Sequence, residues 1–262
     1  MNRLPAASGL KWIRDSFRLV RRQPNQLTLL FLLYTTINLL MAVVIPPVGQ
    51  IILVLVNQAF ISAFMLGCAY ADAGRQARPG LLFAYLKGPV LLRLACLGAC
   101  YLLAQGIAVG GMYLFFGDIL REAIAKAQTG TPGAIDPVAS ELVVRPLMCG
   151  MAAYAILILP LWFAAPLIAW QDMSVPKAIF FSFFSVLRAV KAFVVYILAW
   201  SAIVLFVVIN MSALASVLPQ GVNALPLLLL IPCMLFIVLL YFVSFYTSYV
   251  ELFGKPVLPP ED

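Results

Sequence analysis

Cys96 and Cys100 stand one helical turn apart, a spacing at which two thiolates on one helix face can hold a soft metal. The chain has no histidine, and no acidic residue lies near the pair to complete a ligand set. No metal centre is therefore expected. Lack of histidine also removes the commonest general base and haem ligand. No nucleophile–base pair, phosphate-cradling loop or zinc signature occurs, so neither a catalytic site nor a cofactor is predicted. The five cysteines, Cys68, Cys96, Cys100, Cys149 and Cys233, form an odd set that offers no disulfide framework. They are predicted to be small thiols packed between helices.

Polar residues inside apolar runs are the other candidates for chemistry. They are Asn38, Gln50, Asn57, Gln58, Gln105 and Asn210. Amides in such runs hydrogen-bond between helices, each worth roughly 0.6 to 2 kcal/mol. A sharper reading places Asn57, Gln105 and Asn210 around a substrate path, with Pro160 and Pro166 breaking the helix beside it. Two prolines six residues apart free backbone carbonyls and favour a kink. No Asp or Glu occupies the middle of an apolar run, which argues against a buried proton relay or a charged ion ring. Arg93 lies near enough to a boundary to snorkel.

These residues must be positioned by helices in lipid. Hydrophobic residues make up 64% of the 262 and charged residues only 10%, whereas a soluble domain carries about 25% charged. Apolar runs of about 20 residues recur, each long enough to cross a hydrocarbon slab about 30 Å thick. They are too long and too uniform for barrel strands. The predicted fold is all-α: one polytopic transmembrane helical bundle over residues 1–262. Its six spans are Leu27–Ile45, Val48–Ala71, Leu91–Phe116, Leu147–Ala169, Phe193–Leu218 and Leu225–Tyr249. Pro46-Pro47 and the Gly221, Asn223, Pro226 cluster mark tight turns. Gly106-x-x-x-Gly110 allows close helix approach. Residues 117–145 form a short cap, with a helix over Asp118–Gln128 and an i,i+4 pair between Glu122 and Lys126. The basic, amphipathic start lacks a cleavage site, so the first span is expected to be an uncleaved anchor.

Lysine and arginine are unequally shared between the two sides. Fourteen fall with the amino-terminal segment, the second and fourth connections and the tail. Only Arg121, Lys126 and Arg145 fall opposite. The positive-inside rule then puts both termini on the cytoplasmic side of the membrane. It also accounts for the net charge of +7 without nucleic acid as a partner.

Residues 8–23 read as an amphipathic interfacial helix. Ser8 caps its start and Pro24 stops it. Lys11, Arg14, Arg18, Arg21 and Arg22 gather on one arc and are expected to meet anionic headgroups, with Trp12 at the boundary. Residues 174–191 repeat the pattern, with Pro176 near the start and Lys177, Arg188 and Lys191 on the basic edge. Ile13, Ser16, Phe17, Val20 and Arg22 align at constant offset with Ile179, Ser182, Phe183, Val186 and Arg188. A weaker copy, Leu81 to Lys87, precedes the third span. Together they suggest a threefold unit of interfacial helix plus transmembrane hairpin, unlike the inverted repeats of many transporters.

Three motifs carry a family resemblance: Gly9-x-x-Trp12 running to Arg22-x-Pro24, Pro160-Leu161-Trp162-Phe163-Ala164-Ala165-Pro166, and Lys177-Ala178-x-x-x-Ser182. With them the chain resembles uncharacterised inner-membrane proteins of β-proteobacteria. More distantly it is similar to the membrane domain fused to some glycerophosphodiester phosphodiesterases, which bears no catalytic residues. The resemblance implies an inner-membrane location and a six-helix plan, and no activity. The expectation is a non-enzymatic protein supporting envelope function or a membrane assembly through helix packing and lipid contact. Membrane lipids, and a membrane-protein partner or a second copy of the chain, are its expected partners. The alternative is a transporter or channel for a neutral or amphipathic small molecule.

Overall fold

In a computed structural model, residues 4–44, 48–129, 137–218 and 225–258 are described. Among these the secondary structure is helical. The order is α1 (Ser8–Arg22), α2 (Pro24–Val44), α3 (Val48–Asp72), a 3-10 turn (Pro79–Phe83), α4 (Pro89–Thr129), α5 (Pro137–Ile158), a 3-10 turn (Leu159–Leu161), α6 (Ala164–Gln171), α7 (Val175–Arg188), α8 (Val190–Val217) and α9 (Leu225–Phe253). Six helical stretches are long and apolar enough to cross a membrane, the fourth assembled from α5, the 3-10 turn and α6. The protein is an all-α polytopic bundle, as expected. The expected turns at Pro46-Pro47, Gly221 and Asn223 lie outside the described residues, and Pro226 sits in the first turn of α9.

Proline sets several boundaries. α1 ends at Arg22, Gln23 leaves helical geometry, and Pro24 opens α2. One proline thus stops one helix and starts the next, since its missing N–H is an orphan in a first turn anyway. The freed Gln23 side chain ties the hinge down: Nε2 donates to the Arg75 carbonyl at 2.7 Å and Oε1 accepts from the Ala77 N–H at 3.3 Å. Pro160 stands in the 3-10 turn that splits the fourth span, and Tyr101 Oη donates at 3.1 Å to the Leu161 carbonyl there. The third span breaks helical geometry at Phe116, its expected end. Beyond that kink a further helical stretch runs to Thr129, where a helix over Asp118–Gln128 was expected. Glu122 and Lys126 pair there at 2.8 Å.

Close helix approach comes from glycines other than the GxxxG pair. A Cβ built on Gly98 of α4 would lie 2.6 Å from the Leu55 backbone of α3. One on Gly9 would lie 2.3 Å from the Ala192 carbonyl of α8. Gly106 and Gly110 face open space, which corrects the expectation for them. A GxxxG pair works only when its face meets a neighbour, and this face of α4 meets none among the described residues, whereas Ala104 and Ala108 on the other face are buried.

The core is aromatic. Phe163 stacks on Phe245 with centroids 5.5 Å apart, and Trp170 meets Tyr249 edge-on at 4.8 Å. Of the thiols only Cys68 is buried; Cys96, Cys149 and Cys233 are exposed on a surface that is apolar anyway, which corrects the expectation of packing between helices.

Candidate functional site

The two amphipathic helices dock on the bundle by their small and apolar faces. Ser16 of α1 and Ser182 of α7 are both wholly buried. Phe17 and Phe183 are each 37% exposed, and Val20 and Val186 each 5%. The aligned positions therefore share an environment as well as a residue type. Ser16 Oγ donates to its own helix at the Ile13 carbonyl, 2.6 Å away. Ser182 Oγ instead accepts the Phe163 N–H at 2.8 Å, a donor released by the break in the fourth span. Ser174 precedes α7 in extended geometry but makes no side-chain cap.

Trp12 was expected at the lipid boundary and is instead fully buried within the protein. Its indole packs edge-on against Phe193 and Tyr196, at 5.2 and 5.6 Å. Its Nε1 donates to Glu251 Oε2 at 3.0 Å. The same carboxylate accepts from Ser8 Oγ at 2.8 Å and pairs with Lys11 Nζ at 3.2 Å. Ser8 therefore does not cap α1; the hydroxyl bonds across to α9. Thr247 Oγ1 adds a bond to the Trp12 carbonyl at 2.9 Å. A hydrogen-bonded indole satisfies its N–H while its rings fill the core, so burial gains area without an orphaned donor.

A second carboxylate acts beside it. Asp72, ending α3, pairs with Arg22 at 3.2 Å and with Lys255 at 2.6 Å, and accepts from Tyr246 Oη at 3.3 Å. Gly254 makes the Lys255 contact reachable: its φ of 87° turns the chain out of α9. A cleft of about 290 Å³ lies between these groups, walled by Lys11, Arg18, Arg22, Asp72, Glu251 and Lys255. Asp172 closes α6 at φ 51°, a conformation Asp tolerates better than most residues, and binds Arg93. Arg93 also donates to the Asp172 and Met173 carbonyls. The amino-terminal helix, the second connection and the tail thus meet at one end of the bundle. At that end, outside the spans, burial pushes the Tyr85 hydroxyl up to about 12.

The expected headgroup contacts divide into two groups. Lys11 and Arg22 are engaged by Glu251 and Asp72, and Arg18 lies 3.3 Å from Asp15. Arg14 reaches Asp15 only at 4.0 Å, and Arg21 makes no ion pair among the described residues. Both are exposed, as are Lys177 and Arg188 on α7; the helix expected over 174–191 ends at Arg188, and Lys191, also exposed, lies in the first turn of α8.

The residues of the expected substrate path are not gathered around one cavity. Gln105 and Asn210 are exposed on the bundle's outer surface. Asn210 Nδ2 donates to Phe206 of its own helix at 2.7 Å, and Asn38 Nδ2 likewise to Tyr34 at 2.8 Å. Asn57 bonds between helices, accepting from Tyr34 Oη at 2.9 Å. Pro166 is buried in α6, and Pro160 borders a groove with Cys96, Cys100 and Phe180. A different cavity, of about 150 Å³, opens beside the break in the fourth span and is lined by Gln58, Tyr101 and Trp162 among others. Gln58 is one residue from Asn57, and that single residue is about 100° around a helix.

Compared with known proteins, the chain is 30% identical over 254 residues to a probable inner membrane protein of Burkholderia thailandensis, covering 95% of this chain and 92% of that one. No family model matches the chain. No solved structure matches it.

Proposed function

The chain belongs to the same family as that inner membrane protein of Burkholderia thailandensis, and from this premise we propose that it is a non-enzymatic inner-membrane protein supporting envelope function or a membrane assembly through helix packing and lipid contact. Both termini lie on the cytoplasmic side in this reading, which rests on the lysine and arginine bias. The observation that carries the proposal is the docking of α1. Its inner face is held by Glu251 through Ser8, Trp12 and Lys11, while Arg14 and Arg21 remain outward. A helix fixed in this way presents a preorganised basic edge to anionic headgroups, each cation near the surface contributing about 1 kcal/mol. Lys177 on α7 and Lys191 on α8 are further exposed cations of this chain.

The testing experiment is native mass spectrometry of the tagged protein extracted gently from its own membrane. Co-purifying anionic lipid, or a stoichiometric membrane-protein partner, is the expected result. A bare chain with neither would overturn the proposal.

A second reading, a carrier for a neutral or amphipathic molecule, is favoured by the broken fourth span. Irregular backbone at membrane depth is tolerated where it is enclosed by protein or lines a cavity.

A further inference from the structure

Gln58 is 4% exposed, yet its side-chain amide makes no hydrogen bond to any described residue. A buried amide without partners costs about 1–3 kcal/mol, and such groups in folded proteins are almost always satisfied by protein, water or ligand. Gln58 lines the cavity of about 150 Å³ beside the interrupted fourth span. A donor with a stricter deficit belongs to the same wall: among the described residues the Trp162 indole Nε1 is fully buried without a partner, as are those of Trp170 and Trp200 elsewhere, whereas the Gln58 amide is open to the cavity. Trp162 follows directly on the 3-10 turn, so the break in the span is what sets this residue there.

The rest of the lining decides what could fill the space. Tyr101, Tyr241, Phe242 and Phe245 bring four more aromatic rings, and no charged side chain takes part. A charged ligand would be stranded without a counter-ion. The Tyr101 hydroxyl is already spent on the Leu161 carbonyl. The unmet groups are therefore chiefly N–H donors, which call for an oxygen acceptor. A cavity of this volume holds a single six-membered ring, and aromatic walls favour a flat one in stacked or edge-on contact.

We propose that this cavity is a binding site for a neutral, carbonyl-bearing ring compound of the membrane, a quinone-type headgroup, whose oxygen accepts from the Gln58 amide and the Trp162 indole. Any apolar tail leaves through the open side of the cavity. The site involves no redox step. It also stands apart from headgroup contact: none of its residues belongs to the basic edge of α1, and either claim can fail without the other.

The test uses the full chain in phosphatidylcholine nanodiscs, immobilised and washed. Decylubiquinone is the probe, since its fully substituted ring has no free position for addition of the chain's thiols. The expected result is saturable retention above empty nanodiscs, at up to one per chain. Gln58→Leu should weaken it about tenfold, the value of one buried hydrogen bond. Trp162→Phe keeps an aromatic wall, removes the N–H, and should weaken it to a similar degree. The melting temperature of each variant, measured without the probe, reports its fold. Retention no greater than in empty nanodiscs would overturn the proposal. So would equal retention by both folded variants, or retention of monoolein, an acyclic ester lipid, in preference to the quinone.

Discussion

The Trp12 indole of α1 donates to the Glu251 carboxylate of α9 across 3.0 Å, joining two residues near opposite ends of the chain. The carboxylate also takes Ser8 and Lys11, so one side chain fastens the whole amino-terminal helix. Glu251→Ala leaves the Trp12 donor buried without an acceptor and should cost about 2–4 kcal/mol, from hydrogen bonds to a charged group. Glu251→Gln retains an acceptor and should cost less than half as much. Thermal unfolding in detergent measures both, and an alanine variant that melts like the parent contradicts the latch.

Asp72 should behave differently from Glu251. Its cationic partners, Arg22 and Lys255, are 60% and 64% exposed, so solvent screens both pairs. Asp72→Asn is expected to cost only about 0.2–1 kcal/mol, and the loss should shrink as salt rises. Repeating the melts at low and high ionic strength checks this. A salt-independent loss as large as that of Glu251→Ala would contradict the assignment.

Gly98 should be the least replaceable glycine of α4. A methyl group there would press 2.6 Å from the Leu55 backbone, and backbone cannot rotate aside. Gly98→Ala is expected to destabilise by about 1–3 kcal/mol, whereas Gly106→Ala and Gly110→Ala should be neutral or slightly stabilising. Comparing the three melting temperatures decides the matter: a Gly106→Ala loss equal to that of Gly98→Ala contradicts the packing.

Ser182→Ala removes the acceptor of the Phe163 N–H, the bond that seats α7 against the broken span. The buried N–H then goes unmet at a cost of about 1–3 kcal/mol. Ser16→Ala, at the aligned position, removes only a bond within α1 and should cost distinctly less. Equal losses at the two positions would show that the Ser182 bond carries no special weight.

The fold was legible in the sequence because lipid imposes length and uniformity on each span, and prolines punctuate the ends. Pro24, Pro160 and Phe116 all mark boundaries found in the structure. The amphipathic helices were legible by periodicity, down to the shared burial of Ser16 and Ser182. The function of their tryptophan was not. An amphipathic stripe has the same pattern whether its apolar face meets lipid or protein, and Trp12 meets protein because Phe193, Tyr196 and Glu251 receive it. Asp72, Glu251 and Lys255 gave no local signal, since each sits at the end of a span and gains its partners only through folding. Gln58 shared the amide signal of Asn57, but which of two neighbours faces a cavity depends on how α3 is rotated in the bundle. Similarly, Gly98 has no glycine partner to advertise it, whereas the GxxxG spacing at Gly106 does.

Lipid contact through an exposed basic edge is the central claim, and anionic-lipid retention measures it most directly. Arg14→Glu with Arg21→Glu reverses the two α1 cations least engaged by carboxylates, leaving the Glu251 latch intact. In nanodiscs of mixed phosphatidylglycerol and phosphatidylcholine, native mass spectrometry counts the phosphatidylglycerol molecules that stay with the protein. The account predicts a fall of severalfold in retained phosphatidylglycerol at an unchanged melting temperature. Undiminished retention by the folded double variant would contradict it.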